Sequence, residues 1–440
     1  MKGLAILILS MLTLALSGCP IMGGSKFTVG GTVTGVQGSG LVLELNAGGD
    51  LAFGASGGFV FGDHLANDAT YSVTVRTQPS NPAQTCSVRN GSGTINKASI
   101  TNVIVSCTQT GRFAYVANRQ SNTISGFGID PNSGALLPLA GSPFAAAGTA
   151  PAALIVDPNG RFLFVANNTS NTVSVFSINA TTGGLTVSGT PTAVGSAPEA
   201  LSVDPTDHFL YVANLGANTV SAFLINNGGL TPVAGSPFAS GGAPASLAID
   251  ANGNFLYAVN FTGNSVTVFL IDQAAGILSN ISGSPFATGA GPLSIAIDPT
   301  DAFAYVANEG ANSIAEYSLN PSTGALAPVS GSPLAVGVNP ESLAVDPAGR
   351  YVFAANVVTT DQVASYSIAP TSGALAQVSS AAGGSLPIAA SIDPSGQFLY
   401  VANFNSNDIS AYTVRAGGIL SAVAGSPFAA GTQPHAIAID

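Results

Sequence analysis

From residue 113 onward the chain repeats one hydropathic phrase, a run of apolar residues closed by Asn. Phe113-Ala-Tyr-Val-Ala-Asn118 returns as Phe162-Leu-Phe-Val-Ala-Asn167, Phe209-Leu-Tyr-Val-Ala-Asn214 and Phe255-Leu-Tyr-Ala-Val-Asn260. It returns again as Phe303-Ala-Tyr-Val-Ala-Asn308, Tyr351-Val-Phe-Ala-Ala-Asn356 and Phe398-Leu-Tyr-Val-Ala-Asn403. The spacings are 49, 47, 46, 48, 48 and 47 residues. A period in the forties, with strand-length segments between turn signals, predicts propeller blades of four strands each. Strand A is typified by Ala200-Leu-Ser-Val-Asp204, and strand B is the repeated phrase itself. Asn171-Thr-Val-Ser-Val-Phe-Ser-Ile178 typifies strand C, and the hairpin Thr323-Gly324-Ala325-Leu326 leads to strand D. A stretch such as Gly141-Ser-Pro-Phe144 carries the chain to the next blade. Strands A and B are apolar on both faces, as expected where each blade packs between two others.

The ends of the repeat region predict how the ring closes. The first unit has only Thr110-Gly111-Arg112 where a strand A belongs, and the last segment, Pro434-His-Ala-Ile-Ala-Ile-Asp440, is a strand A with no strand B after it. That segment is expected to complete blade 1, leaving no half blade exposed.

Residues 27–110 have a different texture. Phe27–Val33, Gly40–Leu45 and Thr70–Val75 alternate at period two between Gly, Asn and Asp clusters. Six or seven short strands in a small β-sandwich are expected. In pattern and size this segment resembles small bacterial immunoglobulin-like or prealbumin-like surface modules. The fold class is therefore all-β: a seven-bladed β-propeller over 111–440 with a small N-terminal β-sandwich over 27–110. His64, beside Asp63, reads as a loop residue.

Met1-Lys2 precedes an apolar run from Leu4 to Leu16, too short for a comfortable membrane span and shaped like a signal peptide. The run ends Leu16-Ser17-Gly18-Cys19, which resembles the lipobox of bacterial lipoproteins. That resemblance implies a signal peptide over 1–18, lipidation of Cys19 and an anchored linker over 19–26. Pro20 rather than Asp follows the cysteine, which favours the outer membrane or cell surface. Of three cysteines, Cys86 and Cys107 then remain. An even pair in an oxidising compartment reads as a disulfide, worth roughly 3 kcal/mol for a loop of about 20 residues.

Composition narrows the function. Charged residues are 7% of the chain, against roughly 25% in an average soluble protein. Ten Lys and Arg stand against 21 Asp and Glu. Nucleic-acid binding, which needs a basic stripe, is excluded, and a tight polyphosphate site is disfavoured. No phosphate loop, dinucleotide fingerprint, nucleophile elbow, zinc motif or EF-hand loop is present. Neither a cofactor nor a metal is expected. The absence of Trp disfavours a sugar-stacking platform and a WD40 repeat.

The blades resemble the Tyr-Val-Thr-Asn-type propeller repeat, here written Tyr-Val-Ala-Asn. They are also similar to the seven-bladed lactonase superfamily of 6-phosphogluconolactonase and carboxymuconate-cyclase relatives. The resemblance covers 112–440 and implies the fold; it carries activity only where residues outside the repeat phrase match.

Residues present in every blade are explained by blade construction: the Asp ending strand A, from Asp157 to Asp440, and the Asn ending strand B. Chemistry is sought where the sevenfold pattern breaks. The position after the Pro that enters strand A should ring the channel mouth. From blade 1 to blade 7 it holds His435, Ala152, Glu199, Ala245, Leu293, Glu341 and Ile388. His435, Glu199 and Glu341 are the acid/base candidates, since a His with a carboxylate near it can activate water against an ester carbonyl. The superfamily often carries His or Arg near this point, which Pro434-His435 partly matches. On the same face the B–C turns offer Arg119 and Glu309 as ligand-binding candidates, with Asp361 in the irregular blade-6 turn. Arg112, Arg161, Arg350 and His208 fall in the A–B turns, on the opposite face.

Two functional readings follow. The first is a lipid-anchored binding or scaffold protein of the cell envelope, whose partners are the membrane through its anchor and an envelope protein, a glycan or a small lactone. The alternative is a lactone hydrolase acting on an uncharged or weakly charged lactone.

Overall fold

The computed structural model of the chain describes residues 26–36, 40–79, 84–109, 113–336, 339–357 and 362–440. The signal segment, Cys19, Arg112 and Asp361 lie outside the described residues. Two compact units are distinguished.

In the N-terminal unit, the described residues form ten strands where six or seven were expected. One four-stranded sheet runs in the order Gly57–Val60, Val29–Thr34, Ile100–Gln109, Gln84–Arg89; the other runs Gly49–Phe53, Leu41–Leu45, Thr70–Thr77, Ser92–Thr94. The extra strands are short and rich in Gly or polar residues, so they carry no alternating signal. Val29, Val33, Leu41, Leu43, Val103 and Val105 are fully buried between turns and form the core. Val29–Thr34 and Ile100–Gln109 pair in parallel. Cys86 and Cys107 are disulfide-bonded, and they lie on neighbouring strands of the first sheet. His64 is exposed and its Nδ1 lies 3.0 Å from the Gly62 carbonyl.

The second unit is the propeller, seven blades from seven repeats. Strand A is Pro434–Ile439 in blade 1, then Pro151–Val156, Pro198–Val203, Pro244–Ile249, Pro292–Ile297, Pro340–Val345 and Pro387–Ile392. Strand B is the repeated phrase in each blade, from Phe113–Asn118 to Phe398–Asn403. The C-terminal segment closes the ring as expected: Pro434–Ile439 pairs antiparallel with Phe113–Asn118, and Asp440 Oδ1 accepts the Phe113 N–H at 3.2 Å.

The blades are not simply four-stranded. In six of them the Gly-Ser-Pro-Phe connector, or its equivalent, adds a two-residue strand to strand C, as Phe144–Ala145 does with Thr123–Ile124. Blade 6 instead lengthens strand D to Leu375–Ala382 and stays four-stranded.

Each part of the repeat phrase has a structural cause. Every residue of strand B in blade 2, Phe162–Asn167, is buried. Phe162, Phe164 and Ala166 pack with Leu201, Leu210, Val212 and Phe223 of blade 3. Each large side chain so buried stabilises the ring by about 1.5–3 kcal/mol. The Tyr hydroxyl reaches the next blade: Tyr115 donates to the Gly183 carbonyl at 2.8 Å and Tyr400 to Gly134 at 2.9 Å. Gly134 has φ +73°, and a Cβ there would lie 2.2 Å from the Phe398 ring. Only glycine lets this hairpin lie against its neighbour. Asn118 donates to the hydroxyls of Thr123 and Ser125 at the start of strand C at 3.1 and 2.9 Å. The Asp closing strand A accepts backbone N–H groups of the A–B turn, as Asp157 Oδ1 does from Arg161 and Phe162. These residues build blades, as their sevenfold recurrence implies. No helix among the described residues is long and apolar enough to cross a membrane.

Candidate functional site

A register slip aims the mouth residues. In blade 2, Pro151 pairs with Asn167 and Ala153 with Ala166, so Ala152 is an extra residue without a partner. The same slip follows the first residue of strand A in blades 3 to 7, and in blade 1 it falls between Pro434 and Ala436. Bulges of this kind bend a strand and redirect one side chain. The bulged residue in each blade is the position singled out in the sequence. His435, Glu199, Glu341, Ala152, Ala245, Leu293 and Ile388 all line one cavity of about 480 Å³.

A second ring stands above the first. It is the residue after the strand-B Asn: Arg119, Asn168, Leu215, Phe261, Glu309, Val357 and Phe404. Its backbone N–H bonds the carbonyl before the strand-A Pro in each blade, as Arg119 does with Gln433 at 2.8 Å and Glu309 with Gly291 at 2.9 Å. At three of its positions the side chain acts on the bulge residue of the following blade. Asn168 of blade 2 donates to Glu199 Oε2 of blade 3 at 2.7 Å. The Phe404 ring of blade 7 stands edge-on to His435 of blade 1, with centroids 6.0 Å apart. Glu309 of blade 5 acts electrostatically on Glu341 of blade 6.

Arg119 is the exception, because the bulge residue beneath it is the small Ala152. Its guanidinium extends past Ala152 and joins two others. Arg119 Nη1 donates to His435 Nε2 at 2.8 Å and to Glu199 Oε1 at 3.3 Å. Arginine has no acceptor, so His435 Nε2 must carry the lone pair. The imidazole proton then sits on Nδ1, which donates to the Ala152 carbonyl at 2.8 Å. Burial lowers the His435 pKa and Arg119 lowers it further, against Glu199 and the Ala152 carbonyl, which raise it. His435 is therefore a neutral imidazole whose basic nitrogen is occupied by Arg119.

Glu341 stands across the mouth from Glu199. Among the described residues no hydrogen bond reaches its carboxyl, and burial, followed by the charge of Glu309, pushes its pKa up to about 7. It is the group in the cavity poised to gain or lose a proton near neutrality. Of the four arginines described in the propeller, only Arg119 stands on this face. On the opposite face Arg161 pairs with Asp157 and Asp207, Arg350 pairs with Asp346, and His208 lies against Thr206 at 2.9 Å. No group of three or more metal-ligating side chains occurs among the described residues.

The sequence placed His435, Glu199, Glu341, Arg119 and Glu309 on this face; the structure joins the first two through Arg119 and sets Glu341 with Glu309. Asn168 and Phe404 were missed. Replacing Arg119 by methionine is expected to raise the His435 pKa, because the nearby cation is gone while Glu199 remains. Following the ring protons of the three histidines by NMR titration checks it; an unchanged His435 curve would separate Arg119 from the imidazole.

These features define a class: a seven-bladed propeller with an arginine, a neutral histidine and two unlike carboxylates around its channel mouth. The chain belongs to the family described as Lactonase, 7-bladed beta-propeller, whose model matches residues 82–200, 195–382 and 330–436. Solved structures share the fold. A candidate 6-phosphogluconolactonase from Bacteroides fragilis is 22% identical, with a TM-score of 0.68 over 75% of this chain and 98% of its own. Another from Bacteroides uniformis is 21% identical, with a TM-score of 0.67 over 76% and 100%. The periplasmic gluconolactonase of Pseudomonas aeruginosa is 19% identical, with a TM-score of 0.64 over 73% and 97%. No curated protein matches the chain. Of the two readings drawn from the sequence, family membership favours the lactone hydrolase over the binding or scaffold role.

Proposed function

We propose that this protein hydrolyses lactones at the channel mouth of its propeller. The observation that carries the reading is that His435, Glu199 and Glu341 line one cavity while Arg119 holds the first two together. In this account the Glu341 carboxylate takes a proton from water as the water oxygen attacks the lactone carbonyl carbon. Arg119, which has N–H groups beyond the two bonds above, stabilises the oxyanion. The ring C–O bond then breaks, and Glu341 returns the proton to the departing alkoxide. The product is a hydroxy acid, which loses its carboxyl proton to solvent; the resulting carboxylate is repelled by Glu199, Glu341 and Glu309, which favours release. His435 and Glu199 fix the guanidinium, and Asn168 fixes Glu199.

The reading is tested by lactone hydrolysis with purified wild type and His435→Ala. Turnover that falls in the variant while the circular dichroism spectrum is unchanged supports it. Rates at the uncatalysed level for every lactone tried would end it.

The enzyme is placed outside the cytoplasm, a reading supported by the Cys86 and Cys107 disulfide. It accords with the periplasmic location in the name of the Pseudomonas aeruginosa structure. Anchoring through lipidated Cys19, in the outer membrane or at the cell surface, rests on the Leu16–Cys19 motif. Cell fractionation checks it: wild type is expected with membranes and Cys19→Ser in the soluble fraction, and identical partitioning would refute the anchor.

A further inference from the structure

Polar and apolar surface share the mouth cavity about equally, and the apolar part is contiguous along the blades. Four of its seven bulge positions are Ala152, Ala245, Leu293 and Ile388, and Leu215 and Phe404 join them from the second ring. Most of the polar side chains on the blade 1 to 3 side are engaged with one another, while Glu341 stands apart. Arg119 serves His435 and Glu199, and Asn168 serves Glu199. Ser246, Ser294 and Ser342 also line the cavity; each oxygen accepts one backbone N–H of the next blade and keeps its O–H to donate. Ile295 reaches Ser246 at 3.4 Å, Leu343 reaches Ser294 at 3.1 Å and Ala390 reaches Ser342 at 3.1 Å.

Blade order sorts these groups into sectors. The Arg119, His435, Glu199 and Asn168 cluster belongs to blades 1 to 3, and Glu341 belongs to blade 6. Between them lies an apolar wall of Leu215, Ala245 and Leu293 on one side, with Ile388 and Phe404 on the other. A polyhydroxylated ring placed here would find the three serine hydroxyls, but its hydroxyls set against Leu215, Leu293, Ile388 or Phe404 would be buried without partners, which is costly. A phosphorylated lactone would bring negative charge into a cavity that already holds Glu199 and Glu341, against the one arginine, Arg119, on this face among the described residues. A volume of about 480 Å³ is that of a small-molecule site.

We propose that the mouth takes a lactone bearing an apolar substituent, an alkyl or acyl chain, rather than a sugar lactone or its phosphate. The lactone ring lies between the Arg119 cluster and Glu341, and the substituent lies along Leu215, Ala245 and Leu293. This rests on the lactone-hydrolase reading and names its substrate class.

The test uses the purified full-length protein and a series of δ-valerolactones with no, propyl or hexyl substituent, beside gluconolactone and 6-phosphogluconolactone. Each CH₂ that enters the apolar wall is expected to raise kcat/KM about fourfold, and the propyl compound should exceed both sugar lactones. Leu293→Asn and Leu215→Asn are expected to flatten the dependence on chain length. Turnover that is independent of chain length, or fastest on gluconolactone, overturns the substrate class and leaves the hydrolase reading standing. No turnover on any lactone overturns the hydrolase reading. Calorimetry with the matching unreactive δ-lactams then decides the apolar site: affinity that grows with chain length upholds it, and affinity that is absent or flat overturns it.

Discussion

Glu341→Gln is expected to lower kcat for lactone hydrolysis by about 10²- to 10⁴-fold, the usual contribution of a positioned general base. The glutamine side chain has nearly the same shape, and Glu341 is only half-buried on a bulge, so the fold should survive. KM should change little, because the carboxylate acts on water more than on the bound ring. The pH dependence follows from the same group. Burial and Glu309 raise the Glu341 pKa to about 7, and the base form is the carboxylate. The rate should therefore climb with pH through about 7 and level off above it. Glu309→Gln removes the neighbouring negative charge, which eases ionisation of Glu341 and moves that limb toward lower pH. Steady-state kinetics over pH 5 to 9 on the three proteins checks both effects. A Glu341→Gln enzyme within threefold of wild type would remove Glu341 from the chemistry.

The second large effect concerns ring closure. Deleting Pro434–Asp440 is expected to lower Tm by about 10–20 °C or to leave the protein insoluble. The segment supplies the inner strand of blade 1, pairing along Phe113–Asn118. Ile437 is buried against Phe398, Tyr400 and Val116. Removing it opens the inner edge of the blade along Phe113–Asn118 and exposes apolar surface on two neighbours. The lost burial and backbone hydrogen bonds amount to about 5 kcal/mol. His435→Ala removes only the functional side chain from the same strand and serves as the control, with Tm within a few degrees of wild type. Thermal unfolding followed by circular dichroism distinguishes the two; a deletion variant as stable as the control would show that closure does not hold the ring.

The blades were legible because construction repeats. Phe-Leu-Tyr-Val-Ala-Asn fills the same environment in each blade, and the strand-A Asp is selected by the same turn. Closure was legible because a strand A without a strand B matched a strand B without a strand A. The connector strands were not legible: Phe144–Ala145 is two residues long, below the length at which periodicity shows. The bulge was also invisible, because it depends on the register of strand A against strand B, and hydropathy does not report register. The ring position was nevertheless found, because the position after Pro is where composition changes from blade to blade.

The joining of Arg119 to His435 and Glu199 depends on Ala152 being small enough for the guanidinium to pass. That is a statement about packing rather than about any one residue. Asn168 was hidden by Asn167, the blade-building asparagine beside it. Reading the residue after each strand-B Asn as its own ring, from Arg119 to Phe404, would have exposed both Asn168 and Phe404. The perturbed carboxyl of Glu341 follows from burial, which the sequence does not print.

The central claim is that a hydrolytic site occupies the channel mouth. Its most direct measurement is the pH–rate profile of purified wild type on an uncharged lactone, corrected for spontaneous ring opening. The account predicts catalysed opening with an ascending limb near pH 7 that disappears in Glu341→Gln. No catalysis above the corrected background, or a profile unchanged in Glu341→Gln, would contradict it.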